Sequence, residues 1–298
     1  MRLLSYRDEN GEPGRGVILA TGRVVPMAPS SSLIFDFDDS ARPIEPLKGA
    51  IDLDPSSLRP LPAVEVGKIV CVGLNYRAHV SEGAGRDVPD RPLLFSKFAN
   101  AVVADGEPIV RPEGCHALDL EVELGVVIGR TARRVTVDAA MDHVAGYVVV
   151  NDVSARDWQG SPPALREGEK GDGQWLRAKG SDTFLPMGPV FVTRDELDPT
   201  RGLRLRSWRI PAGGTPQLMQ DGTTADMIFG IPELIAFITR QITLEPGDVI
   251  ATGTPAGVGV FRDPPVFLEP GDRVRCEIEG IGSVENPVVD WMDDPRGT

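Results

Sequence analysis

Apolar residues in this chain come mostly in short runs that end at proline, glycine or aspartate. Runs of about four to eight apolar residues between such breakers are typical of β-strands. Only two segments have clear helical signals. Thr136 can cap a helix that runs towards His143, and Pro232 lies in the first turn of a segment with Leu234 and Ile238 on one face. We therefore predict an α+β fold that is predominantly β.

The start of the chain differs in pattern from the remainder. Strand-like runs separated by Gly- and Pro-containing turns occupy residues 2–27, and residues 30–62 are rich in Pro, Ser and Asp. A strong apolar run over residues 68–73 then begins a new region. We predict a small β-rich N-terminal domain over residues 1–65 and a larger domain over residues 66–298.

A five-residue motif, Leu-Glu-Pro-Gly-Asp, occurs at residues 244–248 and again at 268–272. Proline followed by glycine suits a type II turn, because the third position of that turn needs a positive φ. We predict a turn before a strand at both places. The second strand, Arg273 to Glu279, alternates charged with apolar residues and is predicted to be half exposed.

The composition excludes several classes of protein. The 298 residues are 41% hydrophobic and 25% charged, which is close to the average for folded domains. With 31 basic and 44 acidic residues the net charge is −13, and there is no basic stripe that would neutralise phosphates. We expect no nucleic-acid partner. No apolar run approaches the roughly 20 residues of a membrane span, so we expect no membrane contact either.

Cysteine usage indicates a reducing compartment. Cys71, Cys115 and Cys276 are far apart in the sequence and form no CxxC pair. Residues 1–10 also lack the pattern of a signal peptide. We expect three buried thiols in a cytoplasmic protein.

The most informative segment is residues 118–129, where charged and apolar residues alternate before the chain becomes wholly apolar. Strand periodicity places Asp119, Glu121 and Glu123 on one face. Crowded carboxylates raise one another's pKa unless a cation compensates, and their oxygens suit Mg²⁺, Mn²⁺ or Ca²⁺. A solvated strand face in an acidic protein explains the same pattern, so both interpretations stay open.

A second apolar strand, residues 145–152, ends at Asp152, where a metal or substrate ligand is well placed. Arg156 and Gln159 follow closely and can supply hydrogen-bond donors to the same site. Alternatively, Arg156 merely pairs with Asp152 or Asp157. The residues alone favour neither interpretation.

His79 and Glu82 share one face of a helical turn, because they are three residues apart. A histidine oriented by a carboxylate can act as a general base near neutral pH. A surface pair is the alternative. The loop-forming segment 83–90 that follows would allow the pair to close over a ligand.

Together these segments resemble the fumarylacetoacetate hydrolase superfamily over residues 68–288. The resemblance implies a mixed β-sandwich or roll, a small N-terminal domain and a homodimer. The matching blocks, in the order of the family, are Val72 to Tyr76 with His79 and Glu82, Pro92 to Lys97, Asp119 to Gly129, Gly146 to Gln159, Lys179 to Pro189, Thr223 to Phe229, and Pro246 to Gly259.

The resemblance also implies roles for individual residues. Glu121, Glu123 and Asp152 would coordinate Mg²⁺ or Mn²⁺, with Asp119 as a strand neighbour only. The catalytic residues would be His79 and Glu82, activating water on a mobile lid, and Lys179, stabilising charge on the substrate. The residues in contact with the substrate would be Arg156, Gln159, Thr252, Gly253 and Thr254.

Two of these assignments have structural alternatives. The segment Thr252 to Thr254 can be a turn that ends a strand, and Lys179 can form an exposed salt bridge. The link at residues 160–173 is longer than is usual in the family, and it either reshapes the mouth of the pocket or is inert surface.

The implied function is a divalent-metal-dependent hydrolase that cleaves a carbon–carbon bond in a small 2,4-dioxo acid, such as fumarylacetoacetate or an acylpyruvate, through a stabilised enolate. Isomerisation, decarboxylation or hydration of a 2-oxo dicarboxylic acid at the same site are alternatives. The N-terminal segment resembles that of family members in aromatic or sugar-acid breakdown, which keeps the isomerase as an alternative. A metal-stabilised binding protein without turnover is the alternative from another class.

Overall fold

The computed structural model describes residues 1–27, 52–83 and 87–296. Strands dominate these residues, which confirms the predicted α+β, predominantly β fold. Within the described residues there are four α-helices: α1 (Arg77–Glu82), α2 (Arg156–Gln159), α3 (Trp175–Gly180) and α4 (Ile231–Ile238). None of the described helices combines the length and apolarity that crossing a membrane requires.

The strands are numbered in chain order. They are β1 (Arg2–Arg7), β2 (Pro13–Ile18), β3 (Val24–Pro26), β4 (Arg59–Pro60), β5 (Ile69–Gly73), β6 (Leu93–Lys97), β7 (Val102–Val103), β8 (Ile109–Arg111), β9 (Leu118–Asp119), β10 (Val122–Ile128), β11 (Val144–Asn151), β12 (Ser154–Ala155), β13 (Leu185–Pro186), β14 (Val190–Thr193), β15 (Arg204–Ile210), β16 (Gln217–Thr223), β17 (Val249–Ala251), β18 (Arg273–Ile278) and β19 (Gly282–Asp290).

A ten-stranded mixed sheet forms the larger layer, in the order β3-β2-β1-β14-β11-β10-β17-β5-β6, with β4 paired to β1 at a branch. Its pairs are antiparallel except for β17 with β5, which run parallel. The strands of the first segment belong to this same sheet, because β1 pairs with β14. The division into domains at residue 65 stays a prediction.

A five-stranded sheet, in the order β16-β15-β18-β19-β8, forms the second layer. The main core lies between the two sheets, where Val126 and Tyr147 of the large sheet pack in one cluster with Leu205 and Cys276 of the small one. A second cluster covers the opposite face of the large sheet. All residues of β10 are buried as a result, which explains its continuous apolar run after Glu123.

The two helix predictions had different outcomes. The helix at Pro232 is confirmed as α4, with the proline in its first turn and Leu234 and Ile238 buried. The helix predicted to begin at Thr136 is wrong in extent, since only a 3-10 turn at Ala140–His143 forms there. Three consecutive β-branched residues, at positions 135–137, explain the difference, because their side chains are restricted in a helix.

Both turns of the repeated Leu-Glu-Pro-Gly-Asp motif are confirmed. Gly247 has φ 89° and Gly271 has φ 93°, and in each turn the aspartate N–H donates to the glutamate carbonyl, at 2.9 and 3.0 Å. A strand follows each turn, and β18 alternates between buried and accessible residues as predicted. The three cysteines are free and buried.

Gly146, in the middle of the large sheet, is predicted to be irreplaceable by a larger residue. A Cβ atom there would lie 2.1 Å from the Val192 carbonyl oxygen. Gly146→Ala should lower the free energy of unfolding by about 3 kcal/mol, because the strands must separate to admit the methyl group. Gly230→Ala is the control, since its nearest neighbour would lie at 3.8 Å. Urea unfolding measures the free energy of unfolding of both variants, and an equal decrease in Gly146→Ala and Gly230→Ala would contradict this account.

Candidate active site

Strand pairing brings three carboxylates together. The start of β10 pairs with the end of β11, with Val122 opposite Asn151. The Glu121 N–H donates to Asn151 Oδ1 at 2.9 Å, and the Asp152 N–H donates to the Glu121 carbonyl at 2.9 Å. One carboxylate oxygen each from Glu121, Glu123 and Asp152 consequently lies within 4.8 Å of the others, and all three residues are buried. We call these three residues the acidic triad.

Asp119 does not join this cluster, because the strand is interrupted between β9 and β10. Asp119 Oδ1 accepts the N–H groups of Leu120 and Gly259, at 2.9 and 2.8 Å, and Oδ2 accepts that of Val260 at 3.1 Å. The common face predicted for three alternating carboxylates is therefore wrong for Asp119. Burial also excludes the solvated strand face.

Two lysine ammonium groups lie against the acidic triad, and both are buried. Lys179, on α3, donates to Glu121 Oε2 at 2.7 Å and to Asp152 Oδ2 at 2.8 Å. Lys97, the last residue of β6, lies 2.7 Å from Asp152 Oδ1 and donates to the carbonyl oxygens of Val153 and Lys179. The exposed salt bridge considered for Lys179 is therefore excluded.

Arg156 pairs with Asp119 and Glu121, and not with the partners considered from the sequence. Its Nε donates to Asp119 Oδ2 at 2.9 Å, and its Nη2 lies 2.5 Å from Glu121 Oε1. Its Nη1 donates to Gln159 Oε1 at 3.2 Å, and the Ser161 hydroxyl donates to the same oxygen at 3.3 Å. The Gln159 NH₂ group donates to no residue in the described part of the chain, which leaves it for a ligand.

Charges at the site do not balance if every group is ionised. Burial alone raises the pKa of Glu121, but Arg156 and Lys179 lower it more strongly, so the net shift is downward. Four carboxylates nevertheless face three cations, and one negative charge is uncompensated. The carboxylates belong to Asp119, Glu121, Glu123 and Asp152, and the cations to Lys97, Arg156 and Lys179.

Glu123 is the carboxylate with the weakest compensation. Burial, then the charges on Asp152 and Glu121, raise its pKa well above the ordinary range, and Lys179 only partly offsets this. Its Oε2 accepts the Gly253 N–H at 2.9 Å, and it forms no ion pair within residues 1–27, 52–83 and 87–296. A cation at the triad would stabilise its ionised form.

Several buried atoms near the acidic triad lack a hydrogen-bond partner among the described residues: the Tyr76 hydroxyl, Asp152 Oδ1 and Arg156 Nη2. The last two lie within ion-pair distance of an opposite charge, but not in hydrogen-bonding geometry. Native interiors leave few such atoms, and those that exist often border a ligand or ion. Three carboxylates with spare acceptor capacity therefore fit a hard divalent cation such as Mg²⁺ or Mn²⁺.

His79 and Glu82 form a pair on α1, in which His79 is buried and Glu82 is half-buried. His79 Nδ1 lies 2.6 Å from Glu82 Oε1, and Glu82 Oε2 accepts the Gly257 N–H at 2.8 Å. The Phe261 ring lies 5.9 Å from the imidazole, centroid to centroid. His79 is 5% exposed, which excludes a surface pair. With Nδ1 engaged by Glu82, Nε2 is the imidazole atom available to a substrate.

The segment Thr252 to Thr254 is placed beside β10, and its two hydroxyl groups and the Gly253 N–H donate to residues of the protein. The Thr252 and Thr254 hydroxyls donate to the carbonyl oxygens of Leu124 and Val122, at 2.9 and 3.0 Å. This agrees with a turn that ends strand β17. Only Thr254 of the three lines the cavity described next, and substrate contact by this segment stays a prediction.

A cavity of about 280 Å³ opens over the acidic triad. His79, Arg156, Gln159 and Lys179 line its polar side. Residues 160–162 line it as well, so the long link at 160–173 shapes the pocket and is not inert surface. Its large apolar lining residues are Val72, Leu74, Leu93, Phe95, Trp175 and Phe261.

Sequence reasoning gave no individual role to three residues that build this site. Lys97 ends the block Pro92 to Lys97 that matches the family. Its charge at the end of a strand is the signal that could have indicated a role in the site. The Asn75 side chain donates to the Thr252 carbonyl at 2.8 Å and so ties the start of α1 to that segment. Gln220 donates to Thr254 Oγ1 at 2.6 Å and accepts the Val122 N–H at 2.9 Å; no local signal distinguishes it.

Comparison with known proteins identifies the family of this chain. The family model of the fumarylacetoacetate hydrolase C-terminal domain matches residues 68–289. Mitochondrial oxaloacetate tautomerases are similar over 228 residues, or 76% of this chain: the Xenopus laevis protein fahd2 is 45% identical over 67% of its length, and the human protein FAHD2A is 45% identical over 68%. The chain belongs to the fumarylacetoacetate hydrolase family, a family of enzymes.

Solved structures show the same relationship. A fumarylacetoacetate hydrolase from Exiguobacterium antarcticum superimposes with a TM-score of 0.81 at 34% identity, over 97% of this chain and 100% of that one. A 2-hydroxyhepta-2,4-diene-1,7-dioate isomerase from Mycobacterium marinum gives 0.74 at 34% identity, over 98% and 99%. The family prediction from the sequence is confirmed.

Lys97 is predicted to be essential for stability. Lys97→Met should lower the free energy of unfolding by about 3–5 kcal/mol, because it leaves Asp152 without one of its buried partners. Arg204→Met is the control, since Arg204 pairs with Asp221 at the surface. The free energy of unfolding of this variant should fall far less. Chemical denaturation compares the two variants, and similar losses would show that Lys97 is not a buried structural charge.

Proposed function

We propose that this protein is a divalent-metal-dependent enzyme that interconverts the enol and keto forms of small 2-oxo acids such as oxaloacetate. The observation that carries the proposal is the buried acidic triad at the base of a cavity whose wall holds the His79–Glu82 pair. The similar tautomerases and isomerases support this type of reaction. Localisation in the cytoplasm stays a prediction, and several relatives are named as mitochondrial.

Glu121, Glu123 and Asp152 would hold the metal ion. Mg²⁺ or Mn²⁺ bound there would act as a Lewis acid towards a 2-oxo carboxylate. Lys179 bridges two of these carboxylates, and its ammonium group lines the cavity, where it would donate to a substrate oxygen. Arg156 and the free NH₂ group of Gln159 supply further donors for the substrate carboxylate.

His79 is the residue that would move the proton. His79 lines the cavity and its Nδ1 is held by Glu82, so Nε2 is the atom that would accept a proton from the carbon next to the carbonyl group and return it to oxygen or carbon. Glu82 holds the ring by Nδ1 and stabilises the charged imidazolium, while the Gly257 N–H holds Glu82. Phe261 and Trp175 add apolar walls that exclude water from the site.

Hydrolysis of a carbon–carbon bond in a 2,4-dioxo acid is the second candidate. It uses the same groups, with His79 Nε2 accepting a proton from water. The observation in its favour is the structural similarity to the Exiguobacterium antarcticum fumarylacetoacetate hydrolase. A homodimer, which the family resemblance implies, is part of either proposal.

Metal binding is tested first. Saturating Mg²⁺ or Mn²⁺, at about 100 times Kd, should stabilise the protein by about 2.7 kcal/mol. Glu123→Ala should abolish this gain in thermal unfolding, whereas Glu245→Ala, at an exposed position, should keep it. A full gain in Glu123→Ala would exclude Glu123 as a ligand.

Catalysis is tested with His79. His79→Ala should bind the metal ion like the wild type and lose about 10²–10⁴-fold in kcat for oxaloacetate tautomerisation, because the general base is missing. His143→Ala should be unaffected, since that imidazole bonds only to the Arg130 carbonyl among the described contacts. Acylpyruvates assayed in parallel, with product identification, separate the isomerase from the hydrolase. Unchanged tautomerase activity in His79→Ala would rule out this base.

A further inference from the structure

A second cavity, of about 430 Å³, adjoins the one over the acidic triad. We call it the apolar annex, and its wall consists of Leu74, Pro89, Pro92, Leu93 and Leu94 together with the charged residues Asp90 and Arg91. Leu74 and Leu93 line both cavities. The two spaces are therefore neighbours that share these two leucines.

The backbone of Leu74 is strained at this junction. Its φ is 56°, in the left-handed region that a leucine rarely adopts. The Asn75 side chain holds the turn in place, since it donates to the carbonyl groups of Thr252 and Phe229 and accepts the Phe229 N–H. Strain of this kind persists where the surrounding structure enforces it, often at ligand sites. Here it keeps a leucine side chain at the boundary of the two cavities.

The first cavity is lined by both charged and apolar side chains, whereas most residues around the annex are apolar. Two apolar residues of the first cavity, Phe95 and Trp175, pack their rings edge to face with centroids 5.5 Å apart. Leu93 is 41% exposed and Trp175 is 38% exposed. Large apolar side chains grouped at a cavity mouth are typical of ligand-binding surfaces.

We propose that the apolar annex is a subsite for the tail of a 2-oxo acid whose head group is held at the triad. The ligand class is 2-oxo acids with an alkyl or aromatic substituent at the end distant from the carboxylate, longer than oxaloacetate. The inference rests on the proposed function for the head group only. Beyond that function, the proposal assigns to Leu74 and Leu93 the selection of the length of the ligand's tail.

Calorimetric titration of the full-length protein with Mg²⁺ and a series of unbranched 2-oxo acids tests the subsite without requiring turnover. From pyruvate to 2-oxooctanoate, affinity should rise about fourfold for each methylene group that enters the annex. A series with equal affinities would overturn the subsite but leave the head-group site intact. If no member binds, including pyruvate, the proposed function fails as well.

Two matched variants locate the effect. Leu93→Glu places a charge between the two cavities and should remove the dependence on chain length. Leu176→Glu is the control, because it makes the same change on α3 at a residue that is 59% exposed and lines neither cavity. In this variant the dependence of affinity on chain length should remain. Pyruvate affinity reports whether the head-group site of each variant is intact. An unchanged series in Leu93→Glu would show that the tail binds elsewhere.

Discussion

The antiparallel pairing of β10 with β11 is the interaction on which the site depends. It places Asp152 beside Glu121, joined through a backbone hydrogen bond of 2.9 Å, and it does so inside a sheet that is covered on both faces. Carboxylates in such a place are costly unless cations accompany them. Lys97, Arg156 and Lys179 supply most of that compensation, and each comes from a different part of the chain.

The charge balance connects stability with function. Lys97 is buried against Asp152 and two carbonyl groups, so it is fixed in position. Lys179 instead contacts two triad carboxylates at the cavity wall. Glu123 has neither lysine as a direct partner, and burial together with the charges on Asp152 and Glu121 raises its pKa. A divalent cation at the triad would offset this excess of negative charge.

The His79–Glu82 pair and the acidic triad are connected through backbone contacts. Glu82 on α1 accepts the Gly257 N–H, and Glu123 accepts the Gly253 N–H. Both amides belong to the one segment that follows β17. His79, Glu121 and Glu123 line the same cavity. Either reaction considered for the protein requires that arrangement, which explains how one fold can support both tautomerases and hydrolases.

Much of the architecture could be predicted from local sequence. Short apolar runs between breakers predicted the β-rich fold, Pro-Gly pairs predicted two turns, and alternation predicted the half-exposed β18, because each depends on neighbouring residues. The period of two also indicated Glu121 and Glu123, but it wrongly added Asp119, since the break before β10 is enforced by distant partners at Gly259 and Val260. The roles of Lys97 and Gln220 were likewise hidden. Sequence by itself determined which segments are strands and which residue types can bind a metal ion; only the tertiary structure decided which charges meet, because ion pairing between residues far apart in the chain depends on strand order and packing.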